Sequence, residues 1–522
     1  MCQKYIKMKY WHYILLLGIS IVVWTCSTGN NNADKIKPPT PSNISGQELA
    51  AIYCANCHLK PEPELLDKKT WEKGVLPEMA FYLGKRLLTD KFFDMNPDDI
   101  SAAIQSGLYP SAPVLAEEDW DKIVAYYISN APEKPLPQKE KQAVKVGLPF
   151  FEVKMQAPVT ASGMRQEGVL PLISMVKIDT FHHQLYVSRR DKSLLEIYDK
   201  TFKKQDSIVI ESPVSDMILS KGGDKYILQM GIMDPNDLHK GKLSKLNPQN
   251  QLTTVIDSLQ RPVHLDIFDI NEDGIEDFLI CNFGNLMGKL AWYDGKTHKE
   301  TVLSPLPGAR RTIIRDMNND GKPDIVALFC QARERVSIFY NKGAGNFEED
   351  IVLEFPSIYG SSYIDLADMN GDGKLDILYT NGDNADYSIV LKNYHGIRIF
   401  SNDGQNKFKE QYFYPIYGAT QVIARDFDGD GDVDMATIAF FLDSQDKPTE
   451  GFLFFENKGN STFNITTFVN SSHGRWLVMD VADMDGDGRD DIVLGSFFRF
   501  GTIPTKPLSF VWLKNIAIKR VK

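Results

Sequence analysis

Five times between residues 269 and 491 the chain repeats one nine-residue pattern, Asp-x-[Asn/Asp]-x-Asp-Gly-x-x-Asp, starting at Asp269, Asp316, Asp368, Asp426 and Asp483. The starts are 47, 52, 58 and 57 residues apart. Self-similarity at a period of about 50 residues restricts the chain to an array of like units, each burying its apolar face against the next. After every loop comes a short apolar run (DFLICNF, DIVALF, DILYTN, DMATIAF, DIVLGSF) of strand length and composition. The array is therefore β, a solenoid or a propeller.

The loop residues suit a hard cation. Oxygens stand at positions 1, 3, 5 and 9: Asp269, Asn271, Asp273 and Asp277; Asp316, Asn318, Asp320 and Asp324; Asp368, Asn370, Asp372 and Asp376; Asp426, Asp428, Asp430 and Asp434; Asp483, Asp485, Asp487 and Asp491. With the carbonyl of position 7 they form a donor set for Ca²⁺, and the glycine at position 6 permits the tight turn. A helix–loop–helix calcium hand would need a bidentate glutamate at position 12. Ile280, Ala327, Tyr379, Thr437 and Leu494 stand there instead, and strands follow, so each loop is expected to join two strands. At positions 1, 3, 5 and 9 the loops hold 17 aspartates, and five Ca²⁺ would bring the formal charge of −11 to about −1.

These loops resemble the FG-GAP/VCBS repeat of integrin-type β-propellers over roughly residues 150–522. Three turns support the likeness: Asn341-Lys342-Gly343 with Phe347, Asn402-Asp403-Gly404 with Phe408, and Asn457-Lys458-Gly459 with Phe463. The resemblance implies structural calcium, up to five ions. Strand-rich segments near 174–206 and 214–250 lack the acidic loop but have blade length, giving seven blades in all. The last blade runs out after Phe510-Val511-Trp512-Leu513, and the alternating Phe151-Glu152-Val153-Lys154-Met155 is expected to close the ring there.

The strand entering each loop alternates. Positions −4 and −2 are almost entirely apolar, whereas −5, −3 and −1 supply His264 and Asp266, Arg311 and Arg315, Tyr363 and Asp365, Gln421 and Arg425, and Asp480. If this strand is innermost, those side chains line the axis. Internal pairing, Asp266 with Arg311 or Arg315, is weighed above a site for anionic or hydroxylated ligands. The loop Asn381-Gly382-Asp383-Asn384 with Tyr387 is a second candidate face.

Ahead of the repeats lies Cys54-Ala55-Asn56-Cys57-His58, the spacing at which two thiols take up c-type haem and the following imidazole ligates the iron. Ser45 and Glu48 form a capping box for a helix leading into this motif. Trp120, Ile123, Val124, Tyr127 and Ile128 mark an amphipathic helix at the other end, stopped by Pro132, Pro135 and Pro137. The segment 45–132 resembles a class I cytochrome c domain. The resemblance implies a methionine as sixth ligand, Met79 ahead of Met95. A Pro- and Lys-rich linker follows at 133–148.

Lys4, Lys7 and Lys9 precede an apolar run from Tyr10 to Thr25 that ends at Cys26, the order of a secretory signal. It resembles a bacterial lipoprotein signal, which implies lipid on Cys26, a signal over 1–25 and a flexible tether over 26–44. The protein is then exported, to periplasm or cell surface. Cys281 and Cys330 sit in apolar strands, so the chain is no disulfide scaffold. The negative charge, with no basic stripe, argues against nucleic acid. No nucleophile–base set, Walker loop, dinucleotide fingerprint or zinc spacing occurs.

The expected architecture is a small all-α haem domain followed by an all-β propeller. The expected activity is one-electron transfer, with the propeller as docking or ligand platform for a redox partner or small molecule. The rival classes are a quinohaemoprotein-like dehydrogenase and a carbohydrate- or protein-binding surface lipoprotein. Against the first, only Trp292, Trp476 and Trp512 fall in the repeat region.

Overall fold

The computed structural model describes residues 39–518 apart from 93–94, 96, 157–169, 221–222, 332, 386–387 and 500–502. The expected signal sequence, Cys26 and Tyr387 lie outside the described residues. No helix among the described residues is long and apolar enough to cross a membrane.

Residues 151–515 form seven antiparallel sheets. Blade 1 spans Ile173–Val209, blade 2 Val214–Leu259, blade 3 Pro262–Ser304, blade 4 Ala309–Glu354, blade 5 Ser361–Pro415, blade 6 Ala419–Thr467 and blade 7 Trp476–Asn515. The closing strand falls where the alternation puts it: Phe151–Gln156 pairs antiparallel with Phe510–Asn515, Val153 opposite Leu513. It supplies the fourth strand that blade 7 lacks and removes an open edge. The linker does more than connect. Lys145–Val146 adds a parallel fifth strand to blade 6, and Lys141 reaches Glu450 and the carbonyl of Pro415 at 2.7 and 2.6 Å.

Each junction between blades has its own apolar cluster. Tyr363, Leu378 and Ile397 of blade 5 meet Val422, Met435 and Phe455 of blade 6, and comparable clusters fill the other six junctions. The second strand of each loop-bearing blade, such as Asp324–Phe329, is buried along its whole length because it has blades on both sides. Burial of each such Leu, Ile or Phe is worth about 1.5–3 kcal/mol, so the ring is stabilised by repetition of small cores.

The helical unit begins as the capping box requires. Ser45 Oγ accepts the Glu48 N–H at 3.3 Å, and Glu48 returns the bond at 2.9 Å, opening the helix Gly46–Tyr53. The closing helix is Glu117–Asn130, with Ile123 and Tyr127 buried. Between them Trp71 packs tilted against Tyr127, ring centroids 4.4 Å apart, and donates to the Pro63 carbonyl at 2.8 Å. Ile358, between blades 4 and 5, and Val390 of blade 5 enter this same core, and Leu59 bridges to Pro356. Pro356 and Ile358 lie between blades, and Val390 and Glu450 lie between second and third strands. In an antiparallel sheet those connections share one end, opposite the loop joining first to second strand. The helical unit and linker therefore cover the propeller face away from the acidic loops.

Candidate functional sites

The five acidic loops are built alike. Each separates the first strand from a second strand that begins on its ninth residue: Asp277, Asp324, Asp376, Asp434 and Asp491. The position 6 glycines have φ of +86° (Gly274), +86° (Gly321), +83° (Gly373), +96° (Gly431) and +80° (Gly488), a region costly for any side chain. Position 1 is turned inward by the loop backbone: Asp269 accepts the N–H groups of Asp273 and Gly274 at 3.1 and 2.9 Å. Position 9 is buried and ties the loop to the end of the third strand. Asp434 accepts the N–H of Phe427 at 3.2 Å and of Asn457 at 2.8 Å, and Asp491 those of Met484 and Asn515 at 3.1 and 2.7 Å.

Ligand atoms converge within 4.8 Å in two loops: Asp426, Asp428 and Asp434, and Asp483, Asp485 and Asp491. In the first three loops position 3 is asparagine, so fewer carboxylates are available. Burial, and then the neighbouring carboxylates, push Asp434 and Asp491 up to about 7. That is the state in which a divalent cation gains most by replacing protons. Asp485 Oδ1 meets no hydrogen-bond partner, an acceptor left open. The loops differ in what else they contain. Lys514 bonds Asp485 and lies 3.7 Å from Asp487, which Arg489 also bonds. Loop four has an aspartate, Asp432, where loop five has Arg489. The donor sets fit Ca²⁺, loop four with least competition.

The strand entering each loop is innermost, since the first strands of successive blades bond to one another around the axis. Asp216 of blade 2 accepts from Leu265 N at 3.1 Å, and Asp266 of blade 3 from Thr312 Oγ1 at 2.6 Å. Arg311 donates to the Ile364 carbonyl at 3.1 Å, and Asp365 accepts from Ala424 N at 3.0 Å. Gln421 makes a reciprocal pair with Met479 at 2.9 and 3.0 Å. Asp480 accepts from Ile178 N at 2.8 Å and lies 3.4 Å from Lys177. The channel residues are thus staples between blades. The expected partner of Asp266 is corrected: it bonds Thr312 and His264, not Arg311 or Arg315. Arg311 instead lies over Tyr363, 4.3 Å from the ring centroid, and Arg315 is exposed and donates to the carbonyl beside it. Arg425 stands 3.7 Å from both Asp365 and Asp490.

His264 is the charged centre of this ring. Its Nδ1 meets Asp216 at 2.7 Å and its Nε2 meets the Thr312 carbonyl at 3.1 Å, both pure acceptors, so both nitrogens carry protons. Burial pulls the imidazole down, but Asp266 and Asp216 outweigh it and push the pKa up to about 9. Asp216 and Lys177 were invisible to the sequence pattern, because blades 1 and 2 carry no acidic loop to align them.

In the helical unit, the thiols of Cys54 and Cys57 are unpaired on the turn after Gly46–Tyr53, Cys54 half-buried and Cys57 exposed. His58 Nδ1 lies 3.0 Å from the Leu59 carbonyl, which can only accept, so Nδ1 holds the proton and Nε2 the lone pair. Met79, in the helix Leu76–Tyr82, packs against the same apolar cluster as Cys54, whereas Met95 lies in a bend outside it. Seven large apolar side chains of residues 39–132 are exposed, Ile52, Leu59, Leu87, Ile104, Leu108, Val114 and Ile44, against fifteen in the four-times-longer remainder of the described residues. Surplus apolar exposure in the unit that carries the two free thiols and His58 is compatible with an apolar prosthetic group.

Among known families, residues 269–327 and 316–379 match the FG-GAP-like repeat. No curated protein matches the chain. Of solved structures, the Neurospora crassa Pan2 WD40 domain is 11% identical over 66% of this chain and 89% of its own, with a TM-score of 0.42. Virginiamycin B lyase from Staphylococcus aureus is 10% identical over 69% of this chain and 99% of its own, with a TM-score of 0.43. The blade count rests on the strand pairing itself. The chain carries FG-GAP-like repeats within a seven-bladed β-propeller, a scaffold that fits a ligand- or protein-binding platform.

Proposed function

We propose that this is an exported electron carrier, anchored through lipid on Cys26, whose helical unit holds one c-type haem and whose calcium-bound propeller is its docking platform. The observation that carries the proposal is the set of free thiols at Cys54 and Cys57, His58 with its Nε2 lone pair, and Met79 beside the same core. A haem held there supplies one-electron transfer. Cys54 and Cys57 would hold the macrocycle, and His58 and Met79 would ligate its iron. Burial keeps His58 neutral by lowering its pKa. Contacts through Ile358, Val390 and the Leu59–Pro356 bridge would join such a carrier to the platform.

Haem stain on a denaturing gel tests attachment, using full-length protein from a host that matures c-type haem. The stain is expected on wild type and absent from Cys54→Ser/Cys57→Ser. Stain in the double variant, or none in wild type, rejects the haem assignment and leaves a propeller that binds something.

A further inference from the structure

On the propeller face that the helical unit covers, several arginines stand at the ends of strands, and three of them, Arg190, Arg499 and Arg261, have clear partners. Arg190 and Arg499 both hold the carboxylate of Asp234. Arg261 donates to the carbonyl of Met233 at 3.2 and 3.3 Å and to that of Gly284 at 2.8 Å. Arg475, immediately before the first strand of blade 7, has no such partner. It is 7% exposed, its Nε meets no hydrogen-bond partner, and no carboxylate among the described residues pairs with it. Burial alone lowers its pKa.

Its surroundings are apolar. The guanidinium lies 4.9 Å from the Phe440 ring centroid, and Phe440 meets Phe497 at 6.2 Å. Phe497 donates its N–H to the Arg475 carbonyl at 2.8 Å, which fixes that wall beside the arginine and two residues from Arg499. Asp234, a carboxylate of this face, is already shared by two arginines. Position matters too. Arg475 and Arg261 each stand eight residues before the first loop aspartate, where blades 4, 5 and 6 have Gly308, Gly360 and Gly418. The shared blade plan does not call for arginine there.

A guanidinium largely removed from water, with its Nε unsatisfied and no counter-charge, is disfavoured unless something else neutralises it. Its planar fork is complementary to carboxylate and phosphate. We infer that Arg475, flanked by Phe440 and Phe497, binds the oxyanion of a small organic anion with an apolar body at the mouth of the channel. The inference rests on the platform half of the proposed function and not on haem.

Titration calorimetry of the full-length, calcium-loaded protein with benzoate, phenyl phosphate and benzyl alcohol tests it. The wild type is expected to bind one or both anions at least about tenfold more tightly than the alcohol. The stronger anion separates carboxylate from phosphate recognition. Arg475→Gln should lose about tenfold or more in anion affinity while its unliganded melting temperature rises, because a buried unpaired charge has gone. Phe440→Ala should weaken the aromatic anions with the charge in place. Anions binding no better than the alcohol, or Arg475→Gln binding them unchanged, overturns the inference. If Arg475→Gln does not fold, the anion-to-alcohol ratio in wild type and the loss in Phe440→Ala decide. Haem is not read in this assay, so failure here leaves haem attachment standing, and the reverse.

Discussion

At the residue scale, the side chains that bond blade to blade do so with charge. His264 is held as an imidazolium by Asp216 and Asp266, so its folded pKa of about 9 exceeds the 6.5 of an ordinary imidazole. A raised pKa means that its ionic stabilisation is fully present below about pH 6.5 and is lost as pH rises through about 9. His264→Asn should cost about 3 kcal/mol near pH 6, since it leaves two carboxylates without their cation. Denaturant unfolding across pH checks this: the gap between variant and wild type should narrow above pH 9. The alternation along the strand made His264, Asp266, Asp365, Gln421 and Asp480 legible as axial residues. Their partners were not, because bonds such as Asp365 to Ala424 N cross between blades, and register between blades is not written in either strand. Arg475 was missed for another reason: it lies just ahead of the alternating positions, and only burial shows that it lacks a partner.

At the element scale, the loop pattern was nearly sufficient by itself. Each loop ends on the first residue of a strand, as the apolar runs implied, and the position 6 glycines are left-handed throughout. Gly431→Ala, at φ +96°, should destabilise by about 1–2 kcal/mol in a thermal melt. The pattern hid the difference between loops four and five, because Lys514 comes from the third strand of blade 7 and reaches Asp485 only in the fold. Calcium titration should therefore separate them. Asp428→Ala in loop four, which deletes the position 3 oxygen, should remove about one tight Ca²⁺ from the stoichiometry, and Asp485→Ala in loop five should change it less. The closing strand was legible from its period and from the missing strand of blade 7. Val153→Pro breaks its ladder opposite Leu513 and should cost on the order of 2 kcal/mol, with concentration-dependent light scattering from the freed edge at Phe510–Asn515.

At the scale of the whole molecule, a repeated ring and a small helical unit form one compact body over residues 39–522. The order of modules could be read from the repeat and from Cys54-Ala55-Asn56-Cys57-His58. That the unit sits on the face away from the acidic loops could not, since Ile358, Val390 and Pro356 look like ordinary propeller residues until they meet the helices. Chelation of calcium should lower the melting temperature, each site contributing about 2.7 kcal/mol at a hundredfold excess over its Kd. The central claim, a haem carrier fixed to a binding platform, is tested most directly by the visible absorption spectrum, oxidised and reduced, of the full-length protein from a host that matures c-type haem. Wild type should show covalent low-spin haem with a methionine-ligand band, and Met79→Ala should keep the haem but lose that band. A wild type without covalent haem contradicts the claim outright, and an unchanged band in Met79→Ala moves the ligand to another residue such as Met95.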